Sequence, residues 1–378
     1  MPFYTGELMM NSSRIRPIKY WGSRIQIFLE RISIRKTLFC LLLALTLTPV
    51  LIVGLISHGH FKKAVTDKVA RYSLAELAQA VNNIQLKLAD YEAVSLQLFV
   101  NNDFITTLEN YCDLGNNSRD VAETVKACFN EYLKNNADIF GFMFLGDSDQ
   151  VEPIVVTKDI GKDLIDLSRK FKETGACRNI MEADGGIVWS APLKINRSNY
   201  VFLGRLIKRI STGATLGILA IIIDEDKIDP LVNLAFYNEL NNFWDGIEHY
   251  SLLINSRGEI ISSPFKEDIG KKATQLIDKI LAAEGENLTG HEAGKARQGS
   301  FIITVNQKQN LVTYKAVGGK IKNAGRNSWY LVNLVSTSFL YKERRAVALI
   351  TLVLCLIFGA LAVWVSLYLT KRVGKERK

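Results

Sequence analysis

The sequence predicts an α+β fold in which two transmembrane helices flank an external domain that begins with a long helix. Two uncharged apolar runs lie near the two ends of the chain, and a seven-residue apolar pattern follows the first run. Two successive sets of short apolar segments, separated by turn residues, occupy the middle. Sets of strands with helices apart from them are typical of antiparallel sheets covered on one side. With 378 residues, the chain is long enough for two such modules.

The two apolar runs are residues 37–57 and 346–369. Neither contains a charged residue, and each reaches the roughly 20 residues that a helix needs to cross a bilayer. The segment before the first run is long and basic, and no small-residue cleavage site follows the run. These features favour an uncleaved membrane anchor over a removable signal peptide.

The basic residues are concentrated next to these runs. Residues 1–57 carry a net charge of +5 and residues 346–378 a net charge of +4, so residues 58–345 are neutral overall. Basic flanks of this kind stay in the cytoplasm. We therefore expect a two-span cell-membrane protein with a cytoplasmic basic segment at 1–36, residues 58–345 outside and a short cytoplasmic segment at 370–378. The neutral external part excludes nucleic acid as a partner.

Three cysteines lie in the external segment: Cys112, Cys128 and Cys177. An odd number excludes a complete set of disulfides within the chain. A Cys112–Cys128 bridge and three reduced thiols are both compatible with the sequence, which favours the thiols.

Residues 61–100 predict one long helix with a heptad-like seam. Apolar residues recur at alternating steps of four and three, a spacing typical of coiled coils. The seam can pack on the helix's own domain or pair with a second copy, and we expect the second, a homodimer. The seam consists of Leu77, Val81, Ile84, Leu88, Tyr91, Ser95 and Leu98.

The strand-like segments fall into two modules, a distal one at about 101–229 and a proximal one at about 245–337, which join near Asp229 and Pro230. Turn signals such as SRG and NQKQN connect the segments as hairpins. Helices are predicted near 161–173, at 230–244 and at 273–285. The strand-like segments are 139–146, 186–193, 199–207, 215–224, 250–256, 258–263, 299–305, 310–317 and 328–335.

Three stretches resemble one known family. The first resembles a strand–turn–strand unit that ends in Ile-Gly, and its sequence is YSLLINSRGEIISSPFKEDIG. The second resembles the closing strand of the distal module, with the sequence TGATLGILAIIIDEDKI. The third resembles a last strand that contains a Trp, with the sequence NSWYLVNLV. Together with the order of elements over about 32–370, they resemble the bacterial double Cache (PAS-like) sensor domain found in the N-terminal half of membrane sensor histidine kinases. This resemblance implies signal transduction in a two-component system, as a receptor for a small extracellular solute. It also implies an output half, which the short segment 370–378 lacks.

Patterns that would carry catalysis are absent from the sequence. The four histidines all lie between the apolar runs, so the cytoplasmic segments have no phosphoacceptor histidine. GHEAGK lacks the spacing of a phosphate-binding loop, and DEDKID lacks the glycine and final glutamate of a calcium loop. We therefore expect no enzymatic activity, no cofactor and no metal.

The resemblance implies a solute site in the distal module, for which we name Trp189, Tyr200, Arg205 and Asp224. Trp189 would supply an aromatic wall, Arg205 a planar fork for carboxylate or hydroxyl groups, and Asp224 an acceptor. Tyr200 and Arg205 differ by an odd number, so a regular strand places them on opposite faces. Of these two residues, Arg205 is the one we expect to line the site.

Two functions compete at this stage. The first is a solute-sensing receptor domain, and the second an external scaffold that pairs with a solute-binding protein or another receptor. The surroundings of Trp189, GGIVWSAP, lack the Arg and Tyr that accompany this Trp in family members that bind amino acids. Sugars, organic acids and a loaded binding protein are the candidate ligands.

Overall fold

The computed structural model describes most of the chain between residues 34 and 368. The described ranges are 34–115, 119–148, 150–158, 164–233, 249–288, 297–305, 307–318, 329–340 and most of 349–368. The basic segments predicted to be cytoplasmic fall almost entirely outside these ranges. The chain divides into two compact units, Met1–Val65 with Tyr341–Lys378, and Thr66–Leu340.

Helical backbone covers the first apolar run and the described residues of the second. Helix α1, Ile34–Val100, includes residues 37–57, and helical residues recur from 349 to 368. Within the described ranges, none of the helices combines the length and the apolar character that crossing a membrane requires.

The part of α1 in the second unit packs along its heptad-like seam against that unit's own sheets. Leu77 and Ile84 are 3% and 1% exposed, and Leu98 is fully buried in the same apolar core. The interpretation of this seam as a dimer contact is therefore wrong. The four–three spacing is there because one face of a long straight helix covers both sheets.

The first module follows α1. Its helices are α2 (Asn102–Leu114), α3 (Arg119–Asn135), α4 (Leu164–Glu173) and α5 (Ala176–Glu182). Its strands are β1 (Ile139–Gly146), β2 (Ile154–Thr157), β3 (Val188–Trp189), β4 (Leu193–Ile195), β5 (Ser198–Lys208) and β6 (Thr215–Asp224). The antiparallel sheet has the order β2-β1-β6-β5-β3, and β4 pairs with β5.

A 3₁₀ turn (Glu225–Lys227) and helix α6 (Asp229–Val232) end the first module. The second module has strands β7 (His249–Asn255), β8 (Ile260–Ser262), β9 (Gln298–Val305), β10 (Lys308–Val317) and β11 (Trp329–Ser336). Its helices are α7 (Thr274–Leu288) and α8 (Thr337–Leu340). The antiparallel sheet has the order β8-β7-β11-β10-β9.

Both sheets repeat one topology. In each, the last strand in sequence lies in the centre, between the first and the penultimate strand, and helices connect the second strand to the third. A central strand buried on both faces needs consecutive apolar residues. β6 and β11, which read TLGILAIIID and WYLVNLVS, meet this requirement and are almost entirely buried.

Three apolar cores stabilise the second unit. The largest lies between α1 and the sheets, the second on the opposite face of the first sheet, and the third on the opposite face of the second sheet. A buried polar contact joins α1 to the second sheet. There Ser73 Oγ lies 2.5 Å from Thr313 Oγ1 and accepts a hydrogen bond from Asn333 Nδ2 at 2.8 Å.

Most predicted strands are confirmed to within two residues, but the sequence did not predict β2, α2, α3 and α5. The predicted strand 186–193 is divided into β3 and β4 with Pro192 between them, because proline cannot donate to a ladder hydrogen bond. Of the helix predicted at 230–244, the described residues contain only α6.

The packed seam of α1 gives a stability prediction. Ile84→Ala should lower the free energy of unfolding by about 2–4 kcal/mol, because it leaves a cavity in a filled core. Ile210→Ala is the matched control: it removes the same atoms from a side chain that is 64% exposed, and should change stability by less than about 0.5 kcal/mol. Urea unfolding of the full chain measures both. Equal effects would mean that the seam does not pack on the domain.

Candidate solute site between the two modules

Arg205 lines neither of the two cavities described below but ties β5 to α1. Its Nε donates to Ser95 Oγ at 3.2 Å and its Nη1 to the Gly185 carbonyl oxygen at 2.8 Å. The guanidinium lies 4.9 Å from the centre of the Phe99 ring. Burial lowers the pKa of Arg205, an effect that Glu92 partly opposes. The polar break in the seam, Ser95, is therefore the hydrogen-bond partner of this arginine.

Tyr200 points to the other face of the sheet, as strand alternation predicted. Its ring packs on Phe140 with 4.7 Å between centroids, inside the core opposite α1. The Tyr200 hydroxyl is buried and has no hydrogen-bond partner among the described residues. This side chain is part of the apolar packing and lines neither of the cavities described below.

Asp224 ends β6 and begins the turn between the modules. One of its carboxylate oxygens accepts from the Asp226 backbone N–H at 3.1 Å, so it caps the 3₁₀ turn. A capping aspartate at this place is the ordinary role of this residue type at a helix start.

Trp189 is the predicted site residue that borders a cavity. Its Nε1 donates to Glu92 Oε1 at 3.1 Å. Its ring lies edge-on to the Trp329 ring of the second module, with 5.4 Å between centroids. The structure thus separates the four predicted residues, and of these only Trp189 lines a cavity formed by both modules.

This inter-module cavity has a volume of about 220 Å³. The first module contributes the start of α5 and the segment around β3. The second contributes the turn after β7 and the first residue of β11. The lining residues are Phe171, Thr174, Gly175, Ala176, Asn179, Trp189, Ser190, Ala191, Pro192, Leu193, Phe202, Asn255, Ser256, Arg257, Glu259 and Trp329.

The turn after β7 is held rigidly by Asn255. Its Oδ1 accepts from the backbone N–H groups of Arg257 and Glu259, both at 2.9 Å, and its Nδ2 donates to Glu259 Oε2 at 2.6 Å. Gly258 has φ +78°, and a Cβ there would lie 2.7 Å from Ile277 Cγ2. Only glycine fits this position. The turn therefore presents Arg257 to the cavity in a fixed frame.

The opposite wall is fixed by Ser190. Its Oγ accepts from the Phe202 backbone N–H at 3.0 Å and donates to the Ala191 carbonyl oxygen at 2.8 Å. The segment between β3 and β4, which Pro192 keeps out of the ladder, is therefore bound to the sheet by one side chain. Sequence patterns indicated the SRG turn and the Trp189 strand separately, but no sequence signal places them opposite each other.

A cluster of charged residues connects the two modules, and its members Glu225 and Asp229 are buried. Lys266 Nζ lies 2.6 Å from Glu225 Oε2, 2.8 Å from Asp229 Oδ2 and 2.9 Å from Asp226 Oδ1. Ser262 Oγ donates to Glu225 Oε1 at 2.5 Å. Three carboxylates from the end of the first module thus share one ammonium group of the second. The acidic segment DEDKID is therefore paired with a lysine of the same chain, Lys266.

Two members of this cluster, Glu225 and Lys266, have shifted pKa values. Burial raises the pKa of Glu225 to about 7, although hydrogen bonds from Lys266 and Ser262 act in the opposite direction. For Lys266, burial lowers the pKa, but hydrogen bonds to Asp229, Glu225 and Asp226 outweigh it and raise the pKa overall. The Glu225 side chain is 1% exposed, and removal of a carboxyl from water favours its neutral form.

A second cavity, of about 270 Å³, lies between α1 and β7. His249, Glu76 and Asn333 are among its lining residues, and Asn333 Oδ1 is buried without a hydrogen-bond partner. Within the described ranges, no group of His, Cys, Asp and Glu could hold a metal ion.

Cys112, Cys128 and Cys177 are free thiols, as the sequence favoured. Burial raises the pKa of Cys112 to about 11 and also raises the pKa values of Cys128 and Cys177. A thiol with a raised pKa is a poor nucleophile at neutral pH. These cysteines therefore serve as half-buried packing groups.

No protein-family model matches the chain. No curated protein matches its sequence either. Among solved structures, the ligand-binding domain of the Pseudomonas aeruginosa amino acid chemoreceptor PctC in complex with GABA is similar. It has 12% identity and a TM-score of 0.44, and the match covers 71% of this chain and 99% of that one.

Two further structures show the same level of similarity. The ligand-binding domain of Mlp24 with asparagine has 17% identity and a TM-score of 0.47, with 75% of this chain and 98% of that one covered. The extracellular domain of a putative histidine kinase has 14% identity and a TM-score of 0.48, with 75% and 96% covered.

The Glu225 cluster predicts a pH dependence of stability. The folded-state pKa of about 7 lies above the ordinary value of 4.5, so ionisation favours the unfolded state between these values. The free energy of unfolding should therefore fall as the pH rises from 5 to 8, and this slope should flatten in Glu225→Gln, which cannot ionise.

Asp226→Asn is the control for that measurement, because Asp226 is 69% exposed and pairs with the same lysine. Denaturant unfolding at several pH values should show the wild-type slope in this variant. A Glu225→Gln chain with the full wild-type slope would assign the titration to another group.

Proposed function

We propose that this chain is the external sensor domain of a membrane receptor and binds a small solute in the cavity between its two modules. The observation that carries the proposal is the cavity itself, in which Trp189 of the first module faces Trp329 of the second. An aromatic wall with a few fixed polar groups is the usual composition of a small-ligand site.

The place of the cavity gives the receptor a physical means of signalling. A solute that contacts both modules has a different affinity for each relative position of the modules, and shifts the equilibrium between those positions. The charge cluster of Glu225 and Lys266 spans the same junction, so a change in the cavity acts directly on the contact between the modules.

We also propose that the receptor is a homodimer, through the exposed side of α1 rather than its buried seam. A second stripe with three- and four-residue steps runs along the solvent side of the helix, and it contains no charged residue. Uncharged residues with this spacing allow two parallel helices to pair. The stripe consists of Tyr72, Ala75, Gln79, Asn82, Leu86, Ala89, Ala93, Leu96 and Val100.

The location of the domain outside the cell rests on the charge distribution of the sequence. The apolar runs 37–57 and 346–369 would anchor it, and their basic flanks would keep both termini in the cytoplasm. With no histidine in those flanks and no catalytic constellation, we propose that this chain has a receptor function rather than an enzymatic one.

The solute site predicts ligand-dependent stabilisation. In a thermal screen of the full chain with sugars and organic acids, at least one solute should raise the melting temperature. A ligand at 100 times its dissociation constant adds about 2.7 kcal/mol to the stability of the folded state. Trp189→Ala should abolish that shift, because it removes the aromatic wall.

Gly175→Phe is the second variant, because a Cβ at Gly175 has no heavy atom within 4 Å and its backbone is helical. It should fold normally and fill the cavity. If a stabilising solute acts equally on wild type and on both variants, the site is not this cavity. If no solute stabilises the domain in the presence or absence of a binding protein, the sensor role itself fails.

The exposed stripe predicts a cross-linking pattern. Ala75→Cys lies on the stripe and Glu76→Cys beside it, and both positions are exposed. Oxidation in membranes should join two chains through position 75 much faster than through position 76, with the unmodified chain as background. Equal rates would rule out pairing along this stripe.

The same two variants test the location. In intact cells, a maleimide that does not cross membranes should label the cysteine at position 76, because residues 58–345 are proposed to lie outside. Labelling only after the membrane is opened would place the domain inside.

A further inference from the structure

The residues that line the inter-module cavity include hydrogen-bond donors without a partner in the described part of the chain. Arg257, Asn179 and Trp329 are among the residues that line the cavity, and each has side-chain N–H donors. None of the three has a hydrogen bond or an ion pair through its side chain in the part of the chain that the structure describes. Arg257 alone offers five N–H groups in one plane.

The acceptors on the same wall are mostly occupied. Asn255 Oδ1 accepts from two backbone N–H groups, and Ser190 Oγ accepts from the Phe202 N–H. Thr174 Oγ1 accepts from the Ala176 N–H. Glu259, the one carboxylate among the lining residues, is bound on Oε2 by Asn255 Nδ2 at 2.6 Å. The donors without a partner, above all those of the cationic Arg257, therefore favour a ligand that brings acceptors.

The size of the cavity limits the ligand further. A cavity of about 150 Å³ is enough to hold benzene, so the 220 Å³ between the modules accommodates a ring or short chain with one further polar group. The Trp329 ring provides a flat apolar surface for such a body, since it is 4% exposed and edge-on to Trp189.

We propose that the cavity recognises a small carboxylate with a compact apolar body, whose two oxygens accept a bidentate pair of hydrogen bonds from Arg257. This inference rests on the proposed solute site and names the chemical class of its ligand. The guanidinium fork matches the carboxylate plane, and such charge-assisted pairs are roughly twice as strong as neutral ones. The Asn255 frame and Gly258 hold the backbone of Arg257 in place before the ligand arrives, so ordering of this residue on binding is confined to its side chain.

The test compares two probes of equal shape by titration calorimetry on the full chain: benzoate, which carries the charge, and benzamide, which does not. Benzoate should bind at least tenfold more tightly than benzamide. Arg257→Gln should lower the affinity for benzoate far more than the affinity for benzamide, and so remove this preference. Arg197→Gln, which removes an exposed charge away from the cavity, should behave as wild type.

The outcomes distinguish failure of the carboxylate proposal from failure of the proposed solute site. Equal affinity for the two probes, unaffected by Arg257→Gln but lost in Gly175→Phe, would keep the cavity and overturn the carboxylate class. Benzoate binding that depends on Arg257 but persists in Gly175→Phe would place the anion outside the cavity and overturn this proposal. If benzoate, benzamide and cyclohexanecarboxylate all fail to bind, the proposed carboxylate class of ligand is overturned. The thermal screen with metabolites then tests the solute site itself.

Discussion

The contact on which the domain depends is the buried face of α1. The helix buries one hydrogen-bonded serine against each sheet: Ser73 meets Thr313 and Asn333 of the second sheet, and Ser95 meets Arg205 of the first. The two serines are 22 residues apart, about 33 Å along a helix. A polar group buried in an apolar seam is stable only where its partner lies, so these two positions fix each sheet along the helix. The cavity between the modules exists because both sheets are held on this one support.

The sequence predicted the sheets well because their strands are locally distinctive. The central strands β6 and β11 are continuous apolar runs bounded by turn residues, and such runs are readable without tertiary information. The strand β2 was missed because its four residues, IVVT, are too few to show a period. The seam of α1 was recognised as a seam but assigned to the wrong partner. Spacing shows that a helix face is buried, and does not show what buries it.

The site was less predictable, for a physical reason. Trp189 and the turn at Asn255–Gly258 are more than 60 residues apart and belong to different modules, so their proximity depends on how both sheets pack under α1. Arg205 attracted attention as a charge on an apolar strand, yet that charge is satisfied by Ser95, Gly185 and Phe99. Arg257, in an ordinary turn, carried no signal of its own. A charged residue within an apolar strand needs hydrogen-bond partners inside the fold, as Arg205 has. A charged residue that is available to a ligand, such as Arg257, cannot be distinguished in the sequence from other charged surface residues.

The placement of the last strand at the centre of each sheet has a consequence for biosynthesis. While the ribosome is still making a module, its first hairpin and its edge strands have no common neighbour, because the strand that joins them is synthesised last. Each half-sheet then exposes an apolar edge until β6, and later β11, arrives to close it. The first module can close before the second has begun, so the nascent chain presents one open sheet at a time, and the period of vulnerability to aggregation is limited to the length of a single module.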